Sequence, residues 1–467
     1  MGERLLILSA GVGSGHNSAA EALRRVAAQR PDVDEVRVLD VLQVSSVLYR
    51  DLLSKGYFVL ADGVPWLVEW GYDVSDPPFR RRGPIDPWTR ANALPALREI
   101  RRFAPTAIVC THFLPAGLVA SLLLRGALTA RTAVVTTDYD FQGLWLTSAF
   151  HAFFVARDEG RVQLTNLGLP GDRITASGIP ITAAPPVPVE DGPPMLLISA
   201  GAAGGDYATA VVRQTLHMTA DFTATVVCGR NEELRARIEQ LVAPRRDRYR
   251  VLGYTTEMPS LLRRASLFVG KPGGLSASEC MAAGLPMVLV NPIPGQEVRN
   301  GDYLLEQGAA VRCNTASTIG WKIDRLLAEP GRLARMRDAA AETGRPDAAE
   351  RVLGTLLEGA RRPLVITRAA QKTVLGASGR KVVATDLTGP SALARLVEPE
   401  RGDTVALVRA SELDDLRDRY GADDGRLVLR RSGLRVLARL GWEAQRLVGA
   451  VLGGDGELEV AVEDLHA

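Results

Sequence analysis

The chain has 467 residues, of which 46% are hydrophobic and 24% charged, and its formal net charge at pH 7 is +2. This length predicts two or three domains with substantial cores, and a charge so near zero excludes the strongly basic profile of a general nucleic-acid-binding protein. The four cysteines stand far apart, which excludes the short spacings of zinc sites and disulfide frameworks. The first apolar run is too short for a signal peptide, so we expect a cytoplasmic protein.

Short apolar segments alternate with helical patterns through residues 1–362. Runs rich in Val, Ile and Leu are typical of strands buried in a parallel sheet, and their alternation with helices predicts βαβ units. The predicted strands are residues 5–9, 36–40, 107–110, 133–137 and 152–155, followed by 195–199, 222–228, 249–252, 265–269 and 286–290.

A glycine-rich loop, GVGSGH, follows the first predicted strand. Its glycines allow the backbone to approach a ligand closely. The spacing differs from the G-x-G-x-x-G dinucleotide fingerprint, however, because His16 takes the sixth position. The loop is therefore interpreted as one wall of a cleft rather than as a dinucleotide site.

A segment with five prolines, residues 183–194, separates the two series of strands. Proline fixes φ and favours extended structure, so this segment predicts a linker between domains. The predicted fold is α/β, with doubly wound domains at residues 1–182 and 183–362 and a small α+β extension at residues 363–467. Two such domains face each other across a cleft at the carboxyl ends of their strands.

The most informative motif of the second series is KPGGLSASE, in which a glycine loop precedes a helix. Gly273 and Gly274 let a diphosphate approach the free N–H groups of the helix start, and Lys271 adds a positive charge. Ser276 and Glu279 have the spacing of a capping box. Glu279 therefore has two interpretations, a helix cap or a carboxylate that binds a ribose diol.

Three further loops fit the same nucleotide ligand. Gly295, Gln296 and Glu297 follow a strand, and their amide and carboxylate groups suit sugar hydroxyls; an ordinary helix start favoured by the dipole is the alternative. The strand-to-helix turns at Gly201 and at Gly229–Asn231 are each typical of a tight βα connection when taken alone. Together the four loops predict a nucleotide site.

Several segments resemble one family in the same order along the chain. KPGGLSASECMAAGLPMVLVNPIPGQEVRNGDYLLEQGAAV is similar to the donor-binding segment of the monogalactosyldiacylglycerol synthase and processive diacylglycerol glucosyltransferase family, whose relatives include the peptidoglycan N-acetylglucosaminyl transferase. GVGSGHNSAAEAL, TTDYDFQGLWL and VVCGRNEEL resemble further parts of that family. The resemblance covers about residues 4–358 and leaves out the carboxyl-terminal extension.

The resemblance implies a GT-B fold, a UDP-sugar donor, inversion at the anomeric carbon, a lipid acceptor in the amino-terminal domain, and no cofactor or obligate metal. It places the diphosphate at Gly273 and Gly274, the ribose at Glu279, and the uracil along the backbone from Gly253 to Met258. The predicted donor-binding residues are Gly201, Gly229, Asn231, Gly253, Met258, Lys271, Gly273, Gly274, Ser276, Glu279, Gly295, Gln296 and Glu297.

The predicted function is transfer of a hexose from a UDP-sugar to the hydroxyl of a lipid, above all diacylglycerol, to give a β-glycolipid. Three alternatives stay open: a polyprenol or hydrophobic natural product as acceptor, a UDP-sugar epimerase, and a nucleotide-sugar sensor without catalysis. UDP release from UDP-sugar, measured with and without diacylglycerol, separates these alternatives.

Inverting transfer needs a group that takes the proton of the attacking hydroxyl, and histidine suits this task near neutral pH. His16 is the predicted base and Asp138 its orienting partner, while Lys271 or Arg299 meets the charge of the leaving diphosphate. Purely structural alternatives are a helix-start residue for His16 and a turn cap for Asp138.

The predicted acceptor and membrane residues are Trp66, Trp70, Arg80, Arg81, Arg82, His112 and Trp145. Aromatic residues beside cations are typical of proteins that lie on an anionic membrane, here the inner face of the cell membrane. A folded connection with a solvated arginine face is the alternative, and for His112 the alternative is a loop histidine with satisfied hydrogen bonds. A basic amphipathic helix over residues 432–452 is a second membrane candidate.

Overall fold

The computed structural model describes residues 2–11, 14–50, 65–76, 92–124, 127–182, 192–201 and 204–358, and four short strands that begin at residues 364, 405, 426 and 457. Arg80, Arg81 and Arg82 lie outside the described residues, as does the helix predicted over residues 432–452. Within the part of the chain that is described, no helix combines the length and apolar character needed to cross a bilayer.

Six parallel strands form the first sheet, in the order β2-β1-β3-β4-β6-β7. Their bounds are β1 (Glu3–Ser9), β2 (Val33–Asp40), β3 (Ala107–Cys110), β4 (Arg131–Val135), β6 (Ala152–Val155) and β7 (Ile174–Ala176). Ile7 of β1 pairs with Val38 on one side and with Val109 on the other, and Ile7 and Val109 are fully buried. The apolar runs of the central strands therefore form the core of the N-terminal half, the elements built on this sheet.

The helices of the N-terminal half are α1 (Ser14–Ala27), α2 (Pro65–Ser75), α3 (Leu94–Phe103), α4 (Phe113–Leu124) and α5 (Asp158–Asn166). α3 carries a proline in its first turn, where the missing N–H removes no helical hydrogen bond. It ends at Ala104, which adopts a left-handed φ of 48°. Its buried face consists of Ala96, Ile100 and Phe103.

The second sheet also has six parallel strands, in the order β10-β9-β8-β11-β12-β13. Their bounds are β8 (Met195–Ser199), β9 (Thr223–Val227), β10 (Tyr249–Leu252), β11 (Leu267–Gly270), β12 (Met287–Leu289) and β13 (Ala310–Arg312). In this sheet, strands are added on one side of β8 up to β10 and on its other side from β11 onward, so the strand order reverses between β8 and β11. In the first sheet the strand order reverses in the same way between β1 and β3. Ligands of open α/β sheets bind at such reversal points, so these two crevices are where a site is expected.

The helices that follow β8 are α6 (Tyr207–Thr215), α7 (Glu232–Leu241), α8 (Met258–Arg264), α9 (Gly274–Ala282), α10 (Gln296–Glu306), α11 (Ile319–Ala328), α12 (Arg332–Thr343) and α13 (Ala348–Leu357). With the second sheet, α6 to α12 make up the C-terminal half. α13 lies inside the segment predicted as the second domain, 183–362, yet it packs on the first sheet: Val352 and Leu353 share a core with Ile7 and Phe154. The Arg131 guanidinium also donates to the Leu357 carbonyl oxygen at 2.9 Å.

A small third sheet continues this return to the N-terminal half. β14 (Leu364–Ile366) pairs with β5 (Ala149–Phe150) and with β15 (Val405–Leu407). Leu364 is fully buried in the core of the N-terminal half. A separate two-stranded antiparallel sheet consists of β16 (Arg426–Arg430) and β17 (Glu457–Ala461). The described part of the extension is thus β-structured, and one strand of it is part of the N-terminal half.

The two connections between the halves touch each other. Gly178 follows β7 and has a φ of 87°, and a Cβ at this position would lie 2.5 Å from the Cβ of Arg345, just before α13. Gly344 is equally close-packed, since its Cβ would lie 2.6 Å from the carbonyl oxygen of Met281. The segment after β7 and the segment before α13, through which the chain passes between the halves, therefore lie side by side at Gly178 and Arg345.

Candidate functional site

The halves meet where the segments that follow β1 and β4 face the start of α9. A Cβ added at Gly274 would lie 1.9 Å from the carbonyl oxygen of Thr137, and one added at Gly15 would lie 3.2 Å from a methyl carbon of Leu275. Gly274 is thus required by close approach of two backbones. The structure brings the predicted diphosphate loop and the predicted histidine loop together at one cleft.

His16 is held by its Nδ1 atom. This nitrogen lies 2.9 Å from the Thr111 carbonyl oxygen and 2.9 Å from the Thr137 hydroxyl. Because a carbonyl oxygen only accepts hydrogen bonds, Nδ1 carries the proton and Nε2 is left as the basic nitrogen. Burial lowers the pKa of His16 to about 4, against smaller opposing effects of the Thr111 bond and Asp40, so the imidazole is neutral at pH 7.

His112 packs beside His16 without competing for the same partners. The ring centroids are 4.4 Å apart and the planes are nearly perpendicular. The His112 Nδ1 atom accepts a hydrogen bond from the Leu114 N–H at 3.0 Å, and burial holds the pKa of His112 well below its usual value. His112 is thus a buried loop histidine with a satisfied Nδ1, as its structural alternative predicts. Trp145 lies within 6.2 Å of both imidazoles.

Asp138 connects the two halves. Its Oδ1 atom accepts a hydrogen bond from the Asn300 side-chain amide at 3.0 Å, and the Asn300 Oδ1 accepts from the Tyr139 N–H at 2.8 Å. Asn300 is fully buried, and both its amide nitrogen and its amide oxygen have hydrogen-bond partners in the N-terminal half. Burial raises the pKa of Asp138 to about 6, although the Asn300 bond acts in the opposite direction. The carboxyl group therefore titrates close to neutral pH, where a proton acceptor is most effective.

Arg299 is occupied by carboxylates of the N-terminal half. Its guanidinium lies 2.7 Å from Asp140 and 3.1 Å from Asp73, with Asp76 at 3.8 Å. The same group lies 4.8 Å from the centroid of the Tyr72 ring. The suggestion that Arg299 meets the diphosphate is therefore wrong, because this guanidinium already has anionic partners from α2 and from the loop after β4.

The capping box suggested for Ser276 and Glu279 does not form. α9 begins at Gly274 with Gly273 as its N-cap, and no side chain caps it, so Ser276 already lies in the first turn. The carboxylate of Glu279 has no hydrogen bond or ion pair with the described residues, and burial raises its pKa to about 7. A half-buried carboxylate without a protein partner at this place favours the ligand-binding interpretation.

Only one of the two carboxylate oxygens of Glu297 has a hydrogen-bond partner among the described residues. One carboxylate oxygen accepts a hydrogen bond from the Ile293 N–H at 2.6 Å, while the other lies 3.5 Å from the position that a Cβ on Gly273 would take. Burial raises the pKa of Glu297, and Lys271 acts in the opposite direction. The preceding Gly295 has a φ of 85°, a conformation that favours glycine. Gln296 and Glu297 thus begin α10 beside the glycine loop.

The remaining donor-side residues divide into turns and one helix cap. Gly201 and Gly229 have φ values of 79° and 64°, as tight βα turns require. The Asn231 side chain accepts from the Leu234 N–H and donates to the Gly204 carbonyl oxygen. Asn231 was predicted to bind the donor, but its amide caps α7 and fixes the glycine turn. The Lys271 ammonium lies 5.4 Å from the centroid of the Tyr207 ring, and Gly253 and Met258 lie between β10 and the first turn of α8.

The residues predicted for the acceptor side differ in how much of their side chains is exposed. Trp70 on α2 is 59% exposed, and Trp66 lies on the same helix. Trp145 is only 3% exposed, so it does not face a membrane. It lies behind the two histidines, and its predicted role at the acceptor stays a prediction. Within the described residues, no group of three or more His, Cys, Asp and Glu side chains is arranged to hold a metal ion.

Four site residues had no specific signal in the sequence. Thr111, Thr137, Asn300 and Tyr72 contact His16, Asp138 or Gly295 only because distant segments meet in the fold. Thr137 belongs to a run of polar residues directly after a buried strand. That position was the one available hint, since such residues lie at the ligand edge of a parallel sheet.

Comparisons with known proteins agree with this geometry. Residues 16–181 match the family model of monogalactosyldiacylglycerol (MGDG) synthase, and residues 210–343 match that of glycosyl transferases group 1. Processive diacylglycerol beta-glucosyltransferases from Bacillus cereus (strain AH187) and Bacillus thuringiensis (strain Al Hakam) are each 26% identical, covering 76% of this chain and 93% of theirs. The resemblance inferred from sequence is therefore confirmed.

The crystal structure of MurG from Acinetobacter baumannii is similar to this chain with a TM-score of 0.51 at 17% identity, covering 76% of this chain and 99% of MurG. At that identity the likeness concerns the fold alone. Together with two six-stranded parallel sheets that face one cleft, it confirms the predicted GT-B architecture.

Proposed function

We propose that this chain, a glycosyltransferase related to the diacylglycerol glucosyltransferases, moves a hexose from a UDP-sugar to the hydroxyl of a lipid, diacylglycerol above all, with inversion to a β-glycolipid. The observation that carries the proposal is the meeting of His16 and Asp138 with the glycine loop of α9 at one cleft. An acid–base pair on one side and an anion-binding helix start on the other are what transfer from a sugar diphosphate requires.

The reaction is one in-line displacement. The acceptor oxygen forms a bond to the anomeric carbon as the bond from that carbon to the diphosphate oxygen breaks, and the acceptor proton passes to the enzyme. Of the two candidates, Asp138 with a pKa of about 6 is a stronger base than His16 with a pKa of about 4. We therefore assign proton acceptance to Asp138, while the His16 Nε2 atom accepts a hydrogen bond from the attacking hydroxyl and orients it. This reverses the roles that the sequence suggested.

The donor side is assigned from the start of α9 and α10. The free N–H groups around Gly273 and Gly274 stabilise the negative charge that grows on the diphosphate as it leaves, and Lys271 adds a positive charge. Glu279, whose carboxylate has no partner among the described residues, binds the ribose hydroxyls. The side chains of Glu297 and Gln296 form hydrogen bonds with hydroxyls of the hexose.

An apolar surface of the N-terminal half is our proposed route to a lipid acceptor. Val47, Leu48, Trp70 and Leu94 are exposed by 45% to 68%. Ser46 donates a hydrogen bond to the Asn92 side chain, so the segment of Val47 and Leu48 lies beside the start of α3. Exposed apolar side chains of this size favour contact with a lipid surface. We place the protein on the cytoplasmic face of the membrane as a peripheral enzyme.

The decisive experiment incubates the protein with UDP-glucose, UDP-galactose or UDP-N-acetylglucosamine and with vesicles that contain diacylglycerol. The expected result is acceptor-dependent release of UDP and a new glycolipid, identified by mass. An epimerised UDP-sugar without glycolipid would assign the epimerase function instead. Donor binding without turnover, with diacylglycerol and with a polyprenol, would assign the sensor function.

A further inference from the structure

The hydroxyl of Tyr72 is buried and has no hydrogen-bond partner among the described residues. A buried tyrosine hydroxyl normally finds a partner, because leaving a donor unpaired away from water costs free energy. The exceptions concentrate at functional sites, where a ligand supplies the missing partner. Tyr72 lies on α2, two residues after the exposed Trp70.

The ring of Tyr72 is fixed on several sides. The Arg299 guanidinium lies 4.8 Å from its centroid, and a Cβ on Gly295 would lie 2.9 Å from its Cγ. Its carbonyl oxygen accepts hydrogen bonds from Ser75 at 3.0 Å and from Gln142 at 3.5 Å. The side chain is thus held between the N-terminal half and the loop that begins α10.

The surroundings of the hydroxyl indicate which side of the cleft it faces. Asp138 and Asp140 add to the effect of burial on the pKa of the phenol, while Arg299, which contacts both the Tyr72 ring and Asp140, acts in the opposite direction. The hydroxyl is therefore close enough to Asp138, the carboxylate assigned to proton acceptance, to be affected by its charge. Burial raises the pKa of Tyr72 far above its usual value, so the phenol keeps its proton and is available as a hydrogen-bond donor.

We propose that Tyr72 is a specificity-determining residue whose hydroxyl donates a hydrogen bond to a hydroxyl oxygen of the bound substrates. The contact of its ring with Gly295, the residue directly before α10, favours the transferred hexose as the source of that oxygen, and the acceptor is the other source. The inference rests on the proposed function, because it deepens the description of the same site. It assigns to the N-terminal half a contact with the sugar that the donor loops alone do not provide.

The test compares Tyr72→Phe with wild type and with Tyr303→Phe. Phenylalanine keeps the ring between Arg299 and Gly295 and removes only the hydroxyl. Tyr303 lies at the same interface but stacks on Tyr139, so the control removes a phenol hydroxyl from outside the assigned site. Binding of UDP and of each UDP-hexose is measured by calorimetry without acceptor, and the KM for diacylglycerol is measured in vesicles.

If the hexose is the partner, Tyr72→Phe weakens binding of the UDP-hexose about tenfold, the loss expected for one hydrogen bond to a substrate hydroxyl, and leaves UDP binding unchanged. A donor that lacks the contacted hydroxyl then binds wild type and variant equally. If the acceptor is the partner, donor binding is unchanged and the KM for diacylglycerol rises by a similar factor.

A structural role gives a different pattern. Because the hydroxyl has no partner among the described residues, its removal should leave the Tm unchanged or raise it. Unchanged donor binding together with unchanged KM would overturn the inference, and so would equal weakening of UDP and UDP-hexose with a lower Tm. Donor binding is measured without turnover, so a wild type that binds UDP-hexose but makes no glycolipid contradicts the proposed function and leaves the Tyr72 result readable.

Discussion

Gly274 lies against Thr137 so closely that a Cβ on the glycine would be 1.9 Å from the threonine carbonyl oxygen. The start of α9 and the loop after β4 therefore meet backbone to backbone. The same threonine lies within 2.9 Å of the His16 Nδ1 atom. One contact thus sets the distance between the glycine loop of one half and the acid–base residues of the other.

Gly274→Ala should separate these groups. The added methyl group has no room, so the halves must move apart by an ångström or more, and a displacement of that size lowers kcat/KM by about 100-fold. The measurement is the rate of glycolipid formation. Gly117→Ala is the matched control, because no described residue outside its own helical turn has a heavy atom within 4 Å of the Cβ position. Equal activities of the two variants would contradict the prediction.

The pH dependence distinguishes the two candidate bases. Asp138 must be deprotonated to accept a proton, so kcat/KM should rise with pH through about 6 and level off above it. Asp138→Asn should remove this limb and lower kcat by about 10²- to 10⁴-fold. A limb near pH 4, or a limb near pH 6 that survives in the variant, would assign the proton to His16 or to another group.

His16→Ala should lower kcat while the limb near pH 6 remains. The variant loses the hydrogen bond that orients the attacking hydroxyl, a loss of about 10- to 100-fold for one oriented contact. Donor affinity should stay within about twofold of wild type, since no donor contact is assigned to His16. His217→Ala, at an exposed position, is the control. Full activity of His16→Ala would remove this residue from the mechanism.

Glu279→Gln should stabilise the ligand-free protein in a pH-dependent way. Burial raises the folded-state pKa of Glu279 to about 7, so its stabilising contribution is present below the unfolded pKa and is lost as pH rises towards 7. At pH 8 the variant should gain up to about 3 kcal/mol of unfolding free energy, and at pH 4 almost none.

The same substitution should weaken UDP binding, because the amide replaces one acceptor for the ribose hydroxyls. The two effects are measured by denaturant unfolding at both pH values and by calorimetry with UDP. Glu233→Gln, an exposed first-turn residue of α7, is the control. Unchanged UDP affinity of the Glu279→Gln variant would contradict the assignment of Glu279 to the ribose.

The proposed lipid-facing surface is tested with Leu48→Ser and Trp70→Ser. Both side chains are more than half exposed, at 68% and 59%, so their replacement should leave the Tm within a few degrees. Sedimentation with vesicles of anionic lipid should fall severalfold, while transfer to a detergent-solubilised acceptor is kept. Unchanged sedimentation of both variants would contradict the assignment.

The strands were predictable because their signal is local. Each of the ten predicted segments overlaps an observed strand, since buried parallel strands are continuous apolar runs. β7 and β13 were not predicted. Each has three residues, as β12 has, but β12 lies in the longer apolar run PMVLV, which gives a clearer local signal. The helix start at Gly274 lay two residues before the predicted one, and that shift is why the capping box with Glu279 does not form.

The site was predictable only in its loops. The sequence placed His16, Asp138 and the glycine loop of α9 at strand ends, where ligand groups collect. It gave no means to see that Arg299 is paired with three aspartates or that Trp145 is buried behind the histidines. Each of these depends on contacts between residues tens to hundreds of positions apart, such as Arg299 with Asp73 and Asp140.

The contact between Gly178 and Arg345 has a mechanical consequence. Because the chain passes between the halves on either side of this contact, we expect any opening of the cleft to be a rotation about it rather than a separation in an arbitrary direction. Atoms near such a pivot barely move, and the displacement grows with distance from it. The return of α13 to the first sheet would then stay intact while the cleft opens.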